Sequence, residues 1–258
     1  MTYKIAFFDI DGTLSDTRLY ATEPDIFKRI PESAKKALLA LKEVGIEPVI
    51  ATGRNYGVAK NLLENLQIDS VIASNGQYVL HQRELLFEKN LEDDMVASIV
   101  KRLDFLQLDY AYETADSLFI HAGSQFQKDL SLKVQVIERG IIPDSIIQIL
   151  VLDDRKESLN LDIEGVKAIK VAPFVYDVLD SKFSKAVGIK IMLDKMGVLP
   201  EEALAFGDEE NDLEMFQIVG KSIAMGNGND ILKKEADFVT KAVHEDGIWH
   251  ACKALYLF

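Results

Sequence analysis

The stretch Phe7-Phe8-Asp9-Ile10-Asp11-Gly12-Thr13 places two carboxylates at alternate positions on the end of an apolar strand that begins at Ile5. Two like charges about 4 Å apart repel by roughly 4 kcal/mol at an effective dielectric of about 20. A folded chain keeps such a pair at a strand tip only when a cation binds there or one carboxyl holds a proton. Both conditions suit chemistry on a phosphate ester held by a divalent cation. Ile5–Phe8 is apolar without alternation, as expected of a strand buried on both faces.

Helices and strands alternate along the chain after this strand. Pro31 to Val44 reads as a helix, with Ala34, Leu38, Leu41 and Val44 at helical spacing and Gly45 after its end. An apolar strand at Pro48–Ala51, a helix over Tyr56–Leu66 and a strand at Val71–Ala73 follow. The rhythm returns after Lys185. A helix over Val187–Met196 ends at Gly197, and a strand is expected at Ala203–Phe206. A helix over Asp212–Val219, a strand at Ser222–Met225, a short helix, a strand near Phe238–Thr240 and a helix from Gly247 complete the series. The fold class is therefore α/β: a doubly wound, mostly parallel sheet with helices on both faces.

Residues 81–182 break this rhythm. A helix over Asp93–Phe105 precedes strands at Tyr110–Tyr112 and Leu118–His121. A second helix over Gln127–Glu138 precedes strands at Ile146–Leu152, Val166–Val171 and Val175–Leu179. This reads as an α+β module inserted between two halves, 1–80 and 183–258, of one α/β domain.

Composition bounds the function. At 258 residues and 48% hydrophobic, the chain can bury a substantial core. A formal net charge of -13 weighs against nucleic acid or an anionic membrane as partner. No apolar run is long enough to span a bilayer. Cys252 is the sole cysteine, so no intrachain disulfide is available and a reducing, cytoplasmic setting is expected. Met1-Thr2-Tyr3-Lys4 leads straight into the strand, and no secretory signal is expected.

Three apolar strands far apart in sequence each end on polar residues. Phe7-Phe8 delivers Asp9, Ile50-Ala51 delivers Thr52-Gly53-Arg54, and Ala205-Phe206-Gly207 delivers Asp208. Ligands of open α/β sheets bind outside the carboxyl ends of the strands, so these residues are expected to meet in one crevice.

On these segments, together with Ser74-Asn75-Gly76, Lys185, Glu209-Glu210-Asn211-Asp212 and Ala224-Met225-Gly226-Asn227, the chain resembles the haloacid dehalogenase superfamily phosphatases. More specifically it resembles the Cof-type subfamily, which has a Rossmann-like core and a large α+β cap. The resemblance covers nearly the whole core, and the middle third only in general character. It implies Asp9 as nucleophile and Asp11 as general acid and base, a role that needs a raised pKa. It implies Thr52, Gly53, Arg54, Asn75, Lys185 and Asn211 as substrate-binding residues, Thr52 offering both its hydroxyl and its amide. Mg²⁺ is expected on Asp9, Asp208, Asp212 and the backbone carbonyl of Asp11, with Asp212 orienting a bound water or Lys185. Ala186 departs from the glycine usual after the lysine, and Lys182 and Lys190 are rivals for the role of Lys185.

The implied reaction is hydrolysis of a small phosphorylated metabolite through an aspartyl-phosphate. A phosphomutase and a non-enzymatic regulator on the same fold remain open alternatives. His121, Arg155 and Tyr176 are candidate contacts to the leaving group. A monomer or weak homodimer is expected, and the remaining histidines and methionines are read as structural.

Overall fold

The computed structural model describes residues 2–128, 134–155 and 158–258. Along the chain, β1 (Ile5–Phe8), α1 (Glu32–Glu43), β2 (Glu47–Ala51), α2 (Tyr56–Leu66), β3 (Val71–Ala73), β4 (Tyr78–His81) and β5 (Glu84–Glu88) come first. Next are α3 (Asp93–Leu106), β6 (Asp109–Glu113), β7 (Leu118–His121), β8 (Val134–Ile137), β9 (Gln148–Leu152), β10 (Val166–Ala172) and β11 (Val175–Asp180). The last third holds α4 (Lys185–Met196), β12 (Ala203–Gly207), α5 (Leu213–Phe216), β13 (Lys221–Ala224), α6 (Asp230–Glu235), β14 (Phe238–Val239) and α7 (Gly247–Ala254).

Among the described residues the strands form two sheets. The first has the order β14-β13-β12-β1-β2-β3-β4-β5 and is parallel from β14 to β3. Its faces carry separate cores. Ala6, Phe8 and Ile50 pack with Leu38, Leu62 and Ile248 from α1, α2 and α7 on one side. Ile5, Phe7 and Val49 pack with Ile189, Met215 and Leu232 from α4, α5 and α6 on the other. Chain order runs one way from β1 through β2 to β3 and the other way from β12 to β14. The switch point therefore lies between β1 and β12. There Phe8 and Phe206 stand in register and stack, ring centroids 4.6 Å apart. Such a stacked pair contributes about 0.5–1.5 kcal/mol beyond burial alone. It locks together the strand ends that carry Asp9 and Asp208.

Local chemistry sets the helix ends. Asn55 accepts from Val58 N (2.9 Å) and starts α2, and Gln67 closes it in a left-handed conformation. α4 begins at Lys185 and ends on Gly197 at φ +64°.

The antiparallel hairpin β4–β5 has no counterpart in the sequence reading. It pairs onto β3, so the first sheet continues to Glu88 and a division at 80/81 falls inside β4. Its two-residue turn, Gln82-Arg83, has positive φ at both positions but lacks the Asn or Gly that usually marks such turns. The helix expected over Gln127–Glu138 is a correction. Gln125–Lys128 is a 3₁₀ turn, residues 129–133 lie outside the described residues, and Val134–Ile137 pairs parallel with β7. A strand partner overrides a pattern that is compatible with a helix. The helix expected over Asp212–Val219 is also shorter, a 3₁₀ turn at Glu210–Asp212 and then α5. The chain leaves it early because Gly220 must pass against the Glu201 backbone to enter β13.

The second sheet has the order β10-β11-β9-β6-β7-β8. α3 covers one face, through Val96, Ile99 and Leu103 against Tyr110, Tyr112, Ile149, Val151, Tyr176 and Val178. The other face carries Ala111, Leu150 and Val175 in a smaller apolar cluster. No helix among the described residues is long and apolar enough to cross a membrane.

Gly76 sits at φ +91°, and a Cβ there would lie 2.0 Å from the Ser184 carbonyl oxygen at the start of α4. Gly76→Ala is expected to destabilise the fold by about 3 kcal/mol or more, backbone strain and overlap acting together. Urea unfolding followed by circular dichroism measures this.

Candidate active site

Asp9 follows β1, Thr52 follows β2 and Asp208 follows β12, and the three strand ends meet as the sequence implies. Lys185, at the first turn of α4, is 2% exposed. Its Nζ donates to Asp9 Oδ1 and to Asp212 Oδ1, each at 2.6 Å. Lys182 and Lys190 are exposed, and of the three lysines it is Lys185 that meets Asp9. Asp212 Oδ2 accepts from the backbone amides of Asp208 (2.9 Å) and Glu209 (3.2 Å). Both of its oxygens are therefore engaged. Thr13 Oγ1 donates to Asp208 Oδ1 at 2.7 Å. Gly12, at φ +93°, lies where any Cβ would fall 2.0 Å from Asp208 Oδ2.

Carboxylate oxygens of Asp9, Asp208 and Asp212 lie within 4.8 Å of one another. Burial drives the Asp208 carboxyl up to about 9, with the charges of Asp9 and Asp212 adding to the rise. Burial likewise raises Asp9 to about 7, against the opposing pull of Lys185. Burial opposes the charge of Lys185, but Asp212 and Asp9 outweigh it and hold its pKa above the usual value. Among the described residues, Asp9 Oδ2, Asp208 Oδ2 and the Asp11 carbonyl accept no hydrogen bond. Three hard oxygens left open beside a surplus of negative charge fit a divalent cation.

Asp11 is a correction. Its carboxyl turns away from this group and receives Arg54, Nε to Oδ2 at 2.6 Å and Nη2 to Oδ1 at 3.1 Å. Tyr20 also donates to Oδ1, and Arg29 stacks 4.0 Å over the Tyr20 ring. Burial pushes the Asp11 carboxyl up, but the charge and hydrogen bonds of Arg54, with Tyr20, bring it below the usual value. The crowded anionic setting that would raise it acts on Asp9 and Asp208 instead. Thr52 is a second correction. Its amide is committed to the Ile72 carbonyl at 2.8 Å, which leaves the hydroxyl, an acceptor from Arg54 N at 3.1 Å, as the group with a hydrogen still to donate. Asn211 is half-buried, with no hydrogen-bond partner among the described residues.

The second sheet closes over these loops. Gln148 Nε2 donates to the Gly53 carbonyl (3.0 Å) and to Glu113 Oε2 (2.5 Å). Asn75 Nδ2 donates to Asp177 Oδ2 (2.8 Å) and Gln148 Oε1 (3.1 Å). Burial raises Glu113 to about 8, and neighbouring Asp177 adds to it. Burial raises Asp177 to about 7, opposed by Asn75, Arg54 and Lys185. Sequence reasoning found Asn75 and missed the other three. It named Tyr176, which packs with α3, and His121, which stands edge-on to Tyr110 and Tyr112 on that same side. Arg155 pairs with Asp153 at 2.7 Å. Strict alternation along β11 was the available signal: if Tyr176 faces the helix, Asp177 faces the site.

Loss of Lys185 would strand Asp9 and Asp212 as buried charges. Lys185→Met is expected to cost about 3–5 kcal/mol at neutral pH, read by chemical denaturation. A pH dependence follows as well. Asp9, Asp177, Glu113 and Asp208 hold protons more tightly folded than unfolded, so the native state binds more protons between about pH 4 and 9. Their contribution is complete below pH 4 and is lost as pH rises. Denaturant midpoints in a chelating buffer should fall from pH 6 to pH 8.5.

Comparisons with known proteins agree with the geometry. A family model described as haloacid dehalogenase-like hydrolase matches residues 6–252. The "Putative phosphatase YkrA" of Bacillus subtilis (strain 168) is 33% identical over 100% of this chain and 99% of its own. A hypothetical protein from Geobacillus kaustophilus HTA426 superposes with a TM-score of 0.84 at 30% identity, covering 99% of this chain and 100% of its own. The HAD subclass IIB sugar phosphatase BT4131 shares the fold, with a TM-score of 0.84 at 24% identity over 99% of this chain and 100% of its own. The chain belongs to the haloacid dehalogenase-like hydrolase family, within its Cof-type phosphatases.

Proposed function

We propose that the protein hydrolyses phosphomonoesters of small metabolites with Mg²⁺ as cofactor, through an aspartyl-phosphate on Asp9. The observation that carries this reading is the buried Lys185 between Asp9 and Asp212, beside an Asp208 that forms no ion pair among the described residues. Oxygen donors without histidine or cysteine suit Mg²⁺ rather than zinc. Asp9, Asp208 and the Asp11 carbonyl would hold it, and Asp212 would steady Asp208 and Lys185. The cation supplies charge neutralisation at the phosphoryl oxygens.

The residues of the chain divide the remaining work. A carboxylate oxygen of Asp9 attacks phosphorus, and the bond from phosphorus to the ester oxygen breaks. Asp11 donates its proton to the departing alkoxide. In the second step Asp11 takes a proton from water, the water oxygen attacks phosphorus, and the bond to Asp9 breaks. Free phosphate leaves and the Asp9 carboxylate is restored. Lys185 and the Thr52 hydroxyl hold phosphoryl oxygens and offset their charge.

Asp11 can act as an acid only with a proton on it, and its pairing with Arg54 works against that. A dianionic phosphoryl group competes for the same guanidinium. Substrate arrival thus loosens the pair and lets Asp11 take up its proton when it is needed.

A phosphate-release screen over small phosphate esters tests the proposal. Release is expected with Mg²⁺, with turnover falling at least about a hundredfold on chelation. Asp9→Asn is expected to lower kcat by roughly a thousandfold or more while the folded circular dichroism spectrum persists. Undiminished turnover by that variant, or isomerised ester without free phosphate, would end the proposal.

A further inference from the structure

We infer that Glu113 and Asp177 select the leaving group: they accept hydrogen bonds from a hydroxyl- or ammonium-bearing alcohol and reject one that carries a carboxylate or second phosphate. The inference rests on the phosphatase reading and adds residues and a sign to it. Three adjacent strands of the second sheet, β6, β9 and β11, present Glu113, Gln148 and Asp177 on the face opposite α3. The three side chains are almost fully buried, yet they lie against the loops that carry the site rather than in an apolar core. Asp177 Oδ2 is 3.1 Å from where a Cβ would stand on Gly53. Gly53 lies between Thr52 and Arg54, at the carboxyl end of β2.

Each acid uses only one oxygen. Glu113 Oε2 accepts from Gln148 and Asp177 Oδ2 accepts from Asn75. Among the described residues, Glu113 Oε1 and Asp177 Oδ1 have no hydrogen-bond partner. Neither oxygen is sealed from solvent, so each can accept from a donor that a ligand brings. The nearby cations are otherwise engaged. Arg54 is bidentate on Asp11, and Lys185 is held by Asp9 and Asp212. Above about pH 8, where both acids are ionised, an anionic leaving group would meet two negative charges, and the cations that act on them, Arg54 and Lys185, are already paired. A hydroxyl or an ammonium supplies the missing donor, and the ammonium also favours the ionised acids, which burial otherwise holds up at about 8 and about 7.

Both acids also bind other side chains, so charge must be separated from mere latching. The amides do this. Asp177→Asn keeps an acceptor oxygen for Asn75, and Glu113→Gln keeps one for Gln148, while each loses its negative charge.

The test compares kcat/KM at pH 8.5, where both acids are mostly ionised, for three esters of one carbon skeleton: glycerol 3-phosphate, serinol phosphate and 3-phosphoglycerate. p-Nitrophenyl phosphate serves as the common reference. In the wild type, the hydroxyl and ammonium esters should exceed the carboxylate ester by roughly thirtyfold or more. Asp177→Asn and Glu113→Gln should each shrink that ratio by about tenfold, and the ammonium ester should lose most. Equal losses on all three esters would show a latch without selectivity and overturn the inference. So would a wild type that turns over 3-phosphoglycerate as well as glycerol 3-phosphate, a comparison that stands even if a variant fails to fold. A wild type inactive on every ester, p-nitrophenyl phosphate included, defeats the phosphatase reading itself and is a separate result.

Discussion

One buried ammonium organises the catalytic end of this molecule. Lys185 joins Asp9, from the first strand, to Asp212, from the loop after β12. A lone charge at that depth would cost several kcal/mol in desolvation, and two shared carboxylates offset that cost. The balance still comes out negative, because Asp208 stands in the same group with only a hydroxyl and a raised proton affinity. The site is electrostatically complete only with a proton or a cation on it. A stable scaffold thus holds a surplus charge at the point where, in the proposed reaction, a phosphate ester and a metal ion would use it.

The scaffold earns this surplus through tight backbone approach. Phe8 stacks on Phe206 directly beneath Asp9 and just short of Asp208. Gly12 leaves room for Asp208, and Gly207 leaves room for Asp212, whose oxygen would lie 2.6 Å from any Cβ there. Asn227 fastens the last loop, donating to the Gly12 carbonyl and accepting from Val243 N, both at 2.8 Å. None of these contacts carries the reaction. Together they remove the freedom that would let like charges move apart.

The inserted sheet works by different physics. Its strands turn alternate residues to α3 and to the catalytic loops, so one face builds a core and the other builds a polar ceiling. Glu113, Gln148 and Asp177 bond to Gly53 and Asn75 across the junction, and Asn75 adjoins the glycine that abuts the start of α4. Direct contacts thus join the inserted sheet, the loop after β2 and the start of α4.

Much of this was legible in the chain. Apolar runs ending in Asp9, Thr52 and Asp208, with helices between them, were enough to foresee a parallel sheet and one crevice, because period and strand-end polarity are local properties. Lys185 was legible through resemblance, not through its own neighbours. Three things were not legible. The hairpin at Tyr78–Glu88 has a turn without the usual residues, Val134–Ile137 became a strand only because β7 lay beside it, and the ceiling acids looked like ordinary strand residues. The state of Asp11 belongs here too. Its sequence neighbour, Asp9, argued for a raised pKa, while Arg54, 43 residues away, reversed the sign. Sequence by itself determined which groups stand at strand ends. Only the tertiary structure decided which charges pair, because pairing depends on distances of a few ångströms between segments that the chain order leaves far apart.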